Sequence, residues 1–286
     1  FTAMLIVAAV VLLLFALMWV LISRSFLKIA TATGKTAKKK YRETVARKKS
    51  VQSALLHKEF SRFVSSPNYM LNCGLGILLL PVLGIALLIK GNTLMLVMNE
   101  LFGKNSGSAV ILLFTAVCAV ASMNDTAAPS ISLEGKSLWT LQSLPVRPLD
   151  VLMAKLNMQL ILTGVPVIIC MLCAAFMFTP LQFVSAFVSA LTFVLLLALF
   201  DLFVGLKMPN LNWTSEITPI KQSGGVMIAM LGGFIYTVIY CALFFMVGYK
   251  LGAVQFLLAV AAINLILAVL IYLWLKKKGT AVFSAL

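Results

Sequence analysis

The sequence predicts an all-α, polytopic transmembrane helix bundle of about seven spans, and three observations carry the prediction. Hydrophobic residues make up 62% of the 286 residues and charged residues only 11%, far from the near-half apolar, quarter-charged mix of soluble domains. The apolar residues gather into runs of about 20, the length a helix rising about 1.5 Å per residue needs to cross a roughly 30 Å hydrocarbon core. The runs show no period-2 alternation, so the spanning unit is a helix, which satisfies each backbone group within its own segment, and not a barrel strand. A water-soluble globule is excluded. So are a disordered chain, which lacks such apolar surface, and a disulfide-stapled secreted module, for which five cysteines in this length are too few.

The spans fall at Ala3–Ile22, Met70–Ile89, Ala109–Met123, Leu156–Phe178, Phe183–Val204, Val226–Val247 and Ala253–Leu275. The third reaches only about 22 Å, so its helix is expected to continue past Asn124 and Asp125 into water. The first run has no basic residue before it and a basic cluster after it, which reads as a span that stops translocation and not as a secretory signal. It begins within an apolar run at Phe1, so an upstream part is expected. Residues 1–22 would then close a preceding half, residues 23–50 form a basic cytoplasmic linker, and residues 51–286 form a six-span half.

The formal charge is +15, and twelve of the 23 basic residues lie between Arg24 and Arg62. Placing that segment in the cytoplasm fixes every other loop by alternation. Twenty basic residues then fall inside and only Lys90, Lys104 and Lys250 outside, the asymmetry expected of an outside start and a cytoplasmic C-terminus. The linker from Ser23 to Ser50 reads as a solvated stretch beside anionic lipid headgroups, at about 1 kcal/mol per basic group. Nucleic acid is not expected as a partner, since no aromatic residue beyond Tyr41 is interleaved with the charges.

Three further cytoplasmic pieces follow. Val51 to Ser66, ended by Pro67, places Leu56, Phe60, Phe63 and Val64 on one arc and Lys58, Glu59 and Arg62 on the other, which describes an interfacial helix. In the segment 132–145, helical periodicity would align Leu133, Leu141 and Leu144 and turn Trp139 roughly away from them. Trp139 then either anchors a partner surface or sits in the headgroup belt. The loop from Gly205 to Gly225 holds Pro209, Asn210, Trp213, Glu216, Pro219 and Lys221, a composition of turns too short for a domain.

Little catalytic chemistry is legible. Gly34-Lys35-Thr36 and Gly135-Lys136-Ser137 resemble the end of a phosphate-binding loop, but the earlier glycine is replaced by Ile29 and Ser130, and neither segment follows a strand. His57 stands alone beside Lys58 and Glu59. Cys170 and Cys173 lie within an apolar span, where thiols pack as small hydrophobes. Asp201 lies near the inner end of its span and is expected to reach water or Lys207, so no acid chain for a proton relay is expected. Gly74, Gly76 and Gly84, with Gly224, Gly225, Gly232 and Gly233, read as sites of close helix approach, and Pro81 as a kink. No catalytic residue, cofactor or metal site is expected.

Three stretches, "HKEFSRFVSSPNYMLN" (57–72), "SLEGKSLWTLQSLPV" leading into "AKL" (132–156) and "PNLNWTSEITPIKQ" (209–222), resemble the permease subunits of ABC-2 type exporters, particularly two-half permeases of Gram-positive bacteria. The resemblance runs from Val51 to the end. It implies an elbow helix over 51–66 with Phe60, Arg62 and Tyr69 in the elbow region. It implies a coupling helix over 132–145, with Glu134, Lys136, Trp139 and Pro145, that docks on a separate ATP-binding subunit acting as a dimer. It matches Pro209, Trp213 and Lys221 to the next inner loop, and it makes the first span and linker the end of a missing N-terminal permease half. The implied function is export across a bacterial cell membrane by a permease with no ATPase site of its own. A non-transporting membrane scaffold would share the topology, whereas an intramembrane enzyme would need convergent polar side chains beyond the scattered Ser, Thr and Asn of the spans. The apolar segment from Gly91 to Ser108 departs from that pattern and reads as an interfacial or re-entrant piece.

Overall fold

The computed structural model describes residues 2–30, 50–102 and 107–286, and every regular element among them is helical. Six of these helical stretches are long and apolar enough to cross a membrane: Met4–Phe26, Leu75–Phe102, Pro148–Met177, Pro180–Lys207, Ile217–Met246 and Ala253–Ala285. A shorter apolar helix, Ser108–Ala121, accompanies them. The chain divides into two compact units, Phe1–Lys48 and Lys49–Leu286. In the first, α1 (Thr2–Ala30) is apolar as far as Ile22 and carries Arg24 and Lys28 in its last part, and Leu12, Phe15 and Trp19 are exposed along the apolar stretch, as lipid contact requires. Most of the basic linker, with Gly34-Lys35-Thr36, lies outside the described residues.

The second unit opens with α2 (Val51–Ser65) and α3 (Pro67–Cys73). Ser66 separates them: its hydroxyl accepts from Tyr69 N, and Pro67 takes the first helical position, where a missing N–H costs nothing. The second long span therefore starts at Leu75, later than Met70, and runs as α4 (Leu75–Phe102) through Pro81 and Gly91. The stretch after Gly91 continues the helix to Phe102 and is not a separate interfacial piece. Gly91 lies in van der Waals reach of Met177 and Phe176, so the helix packs on the neighbouring hairpin instead of ending there. α8 (Pro148–Ala174) likewise starts earlier than Leu156 and carries Asp150 and Lys155 within it.

α9 (Pro180–Lys207) is the central pillar. It packs against α8, α5 (Ser108–Ala121), the one-turn α6 (Ala127–Ser130), α11 (Gly224–Met246) and α12 (Ala253–Trp274). Small residues Ser185, Ala186, Ser189 and Ala190 on its buried face let α12 come close, and the Ser189 hydroxyl donates to the Leu257 carbonyl at 2.7 Å. Phe193, Tyr236 and Tyr240 form a ring cluster between α9 and α11, with Phe193 and Tyr236 stacked at 6.3 Å. Where α4 meets α8, a Cβ on Gly84 would lie 3.2 Å from Cys170 Cα and 3.4 Å from Cys173, so this Cys-x-x-Cys lines a close helix approach.

α5 does not continue into water. It ends at Ala121, and the chain turns through Ser122, Asn124, Asp125 and Thr126, all buried, into α6. Glycines on three spans hold this break. A Cβ at Gly76 of α4 would lie 2.5 Å from Val120 O, one at Gly233 of α11 would lie 2.6 Å from Ser122 Oγ, and one at Gly205 of α9 would collide with the Ala128 carbonyl oxygen. Each approach is closer than any side chain allows.

Candidate functional site

The pieces assigned to the cytoplasmic side meet at one end of the second unit, here called the basic end. α2 is fixed there at its start by Ser50, whose hydroxyl accepts from Ser53 N at 3.3 Å, a capping contact that satisfies one orphan donor. Its buried face carries Leu55, Glu59 and Phe63, spaced by four, in place of the apolar arc through Val64, which is exposed. The helical periodicity sets Glu59 on the arc opposite the apolar residues, yet Glu59 is buried, because Lys155 lies inside to meet it. Lys155 of α8 has no exposed surface and donates to Glu59 Oε1 at 2.9 Å, to Glu134 Oε1 at 2.8 Å and to the Ser130 carbonyl at 2.9 Å.

Two more cations close the cluster. Lys58 Nζ reaches Glu134 Oε1 at 2.8 Å, and Arg62 Nη2 reaches Glu134 Oε2 at 2.7 Å. Burial opposes ionisation of Glu134, but Lys155, Arg62 and Lys58 outweigh it and hold the carboxyl well below its ordinary range. Burial and the nearby Lys155 pull the Lys58 ammonium below its ordinary value. This cluster ties α2, α8 and the 132–137 turn into one body. His57 lies outside it, with Nδ1 2.9 Å from Ser61 Oγ.

The elbow residues join the same body. Phe60 packs on an apolar cluster of Phe63, Tyr69, Cys73, Leu133, Met158 and Ile220. Phe63 and Tyr69 meet edge to face at 5.2 Å, and the buried Tyr69 hydroxyl donates to the Thr126 carbonyl at 2.5 Å.

The coupling segment is not one helix. Ser132–Ser137 forms a 3-10 turn broken at Gly135, and α7 (Leu138–Ser143) follows. Gly135 has φ +52° and ψ −137°, a region that L residues rarely enter, and a Cβ there would lie 3.1 Å from the Trp213 ring. Trp213 in turn donates from Nε1 to the Ser132 carbonyl at 2.6 Å, and Asn210 N donates to Ser132 Oγ at 2.9 Å. The next inner loop, with Pro209 half-buried, is thus stitched to the coupling segment, and Lys221 stands exposed at the end of α10 (Ile217–Lys221).

α7 is anchored by Leu138 and Leu141, both buried, and Gln142 Nε2 donates to the Phe283 carbonyl of α13 (Thr280–Ala285) at 3.0 Å. Leu144 was aligned with Leu133 and Leu141, but the helix stops at Ser143 and Leu144 is exposed. Trp139 is 68% exposed, with Lys136 and Pro145 exposed beside it. Glu134 belongs beneath this surface, in the ion cluster, and not upon it.

The spans also hold what the sequence did not reveal. Asp201 is fully buried and bonded to Gln159 of α8. It does not reach Lys207, whose ammonium lies 5.1 Å over the Trp274 ring. Polar side chains therefore do converge within the bundle. The sequence pattern does not single out Lys155, Glu59, Gln159 or Asp125 as candidate site residues; the signal available is a charge abutting an apolar run, as at Lys155 and Asp125.

No curated protein and no solved structure matches the chain. The resemblance to ABC-2 exporter permeases is overturned, because the family model that matches, over residues 1–278, describes a different group. That model is of a membrane protein of 12 TMs, and the chain belongs to this family of multi-pass membrane proteins.

Proposed function

We propose that this membrane protein is a transport permease without hydrolytic chemistry of its own, driven at its basic end by a separate ATP-binding subunit. The observation that supports this reading most strongly is the setting of Trp139: a large aromatic side chain, 68% exposed, on a support that cannot yield. Beneath it are the anchors Leu138 and Leu141, the Gly135–Trp213 contact and the five-membered ion cluster. Exposed aromatic residues on rigid supports are the side chains that concentrate binding energy when covered.

Work can pass through such a stiff surface only if the spans it is tied to have two arrangements that a bound partner biases differently. Force on α7 reaches α8 through Lys155 and α13 through Gln142, and it reaches α9 through α6. The basic residues around the surface suit anionic lipid headgroups at its rim.

A photo-crosslinking residue at Trp139 in native membranes tests the reading. An adduct to a protein that binds ATP is expected. Adducts to lipid alone would place Trp139 in the headgroup layer and favour a non-transporting scaffold.

A further inference from the structure

The break between α5 and α6 gathers polar atoms that the rest of the fold leaves unpartnered. Gln159 of α8 braces the site: its amide nitrogen donates to Asp201 and to the Asn124 carbonyl at 2.9 Å, and its oxygen accepts from Ala127 N at 2.7 Å. What remains is Asp201 Oδ1, Asp125 Oδ2, Thr126 Oγ1 and both polar side-chain atoms of Asn124, all buried with no hydrogen-bond partner among the described residues. Asn124 is itself fully buried, and its side-chain oxygen abuts Gly76 on α4. An orphaned amide beside two orphaned carboxyl oxygens is costly unless something binds between them.

No cation of the described residues answers the two carboxyls. Lys155 is committed to Glu59, Glu134 and Ser130, and Lys207 to Trp274. The titratable groups that face Asp125 are Cys73 and Tyr69 on α3 and Asp201 on α9, none of them cationic. From α8 comes only the neutral Gln159, and from α4 and α11 come Gly76 and Gly233. Two like carboxyls in such surroundings cannot both be ionised. Nor do three of His, Cys, Asp and Glu gather among the described residues as a metal ion would ask.

We propose that Asp125 and Asp201 form a proton-binding site at the break of the fifth helix, the pair carrying one exchangeable proton. This goes beyond the partner-driven reading and does not rest on it. Burial pushes the Asp125 carboxyl up to about 7, against the opposing pull of its own backbone amide and of Cys73, so the proton occupancy of the site changes near neutral pH. Discontinuous helices are where transporters bind coupling ions. Here Gly76, Gly205 and Gly233 press three spans onto the break, so a second negative charge at the pair strains α4, α9 and α11 together.

The test uses the full chain in detergent and sodium-free buffer. Infrared difference spectra between pH of about 5.5 and 8.5 should show a protonated carboxyl band lost on the alkaline side, and Asp125→Asn and Asp201→Asn should each remove that change. The melting midpoint of the wild type should fall over the same interval. A folded value above the ordinary carboxylate value means the folded chain holds the proton that the unfolded chain releases, so stability drops as pH rises. Absence of the band in the wild type, or its persistence in both variants, would overturn the site. So would sodium at high pH restoring the midpoint as acid does, since the occupant would then be a metal ion. If one variant does not fold, the other and the wild-type spectrum still decide.

Discussion

Lys155 and Gln159 lie four residues apart on α8, on one face of the helix, and each organises a buried polar cluster of opposite character. Around Lys155, two carboxylates meet three cations: Glu59 Oε1 and both Glu134 oxygens have donors, and Glu59 Oε2, which accepts no hydrogen bond among the described residues, still faces the charge of Arg62 Nη1 at 3.9 Å. Around Gln159, two carboxyls meet neutral amides, a thiol and a hydroxyl, and several oxygens have no donor. A compensated cluster is a fastening, because any displacement uncovers a charge. An uncompensated one is a site, because its energy depends on what enters. The basic end is therefore read as the stiff part of the molecule and the α5–α6 break as the responsive part.

The largest expected effect breaks the fastening. Lys155→Met leaves Glu59 and Glu134 without their buried partner, and the loss should be about 3 to 5 kcal/mol, read as a steep drop in the denaturation midpoint of the detergent-solubilised chain. Gly205→Ala strikes the other cluster by pushing α9 off the Ala128 carbonyl. About 1 to 3 kcal/mol should be lost by overpacking, with the same readout.

A pH scan sharpens the contrast, because the two clusters titrate in separate windows. Glu134 is held below the ordinary carboxylate range, so its contribution is present above a pH of about 4.3 and disappears as acid is added. Glu134→Gln should flatten that acid limb. Asp125 lies above the ordinary range, at about 7, so its effect is a loss of stability as pH rises from about 4 toward neutrality. Asp125→Asn should flatten this second limb and leave the acid limb in place. The smallest effect on stability belongs to Trp139→Ala, which should stay within about 0.5 kcal/mol, as exposed substitutions do.

The architecture was legible because composition and run length constrain it directly: 62% apolar residues in runs near 20 leave few alternatives to spanning helices. The turn chemistry of Ser66-Pro67 was legible too, since proline marks a boundary locally. The clusters were not legible, because their partners lie far apart in the chain: Glu59 and Lys155 are separated by 96 residues, and Arg62 and Glu134 by 72. A periodicity argument ranks Glu59 by its polarity and places it outward; the cation that draws it inward belongs to another helix. Asp125 followed a run too short to span and was read as emerging into water. The turn that buries it is made by glycines on α4, α9 and α11, which pattern reading saw only as packing. Resemblance of short inner-loop stretches misled for a related reason, as it weighed 48 residues while the family match extends over residues 1–278.

In the proposed function, the basic end is a stiff surface covered by an ATP-binding partner. Recovery of that partner and the melting midpoint, measured on one preparation of Trp139→Ala from native membranes, test it most directly. The account predicts an unchanged midpoint with the partner lost. An unchanged midpoint with the partner fully retained would contradict it.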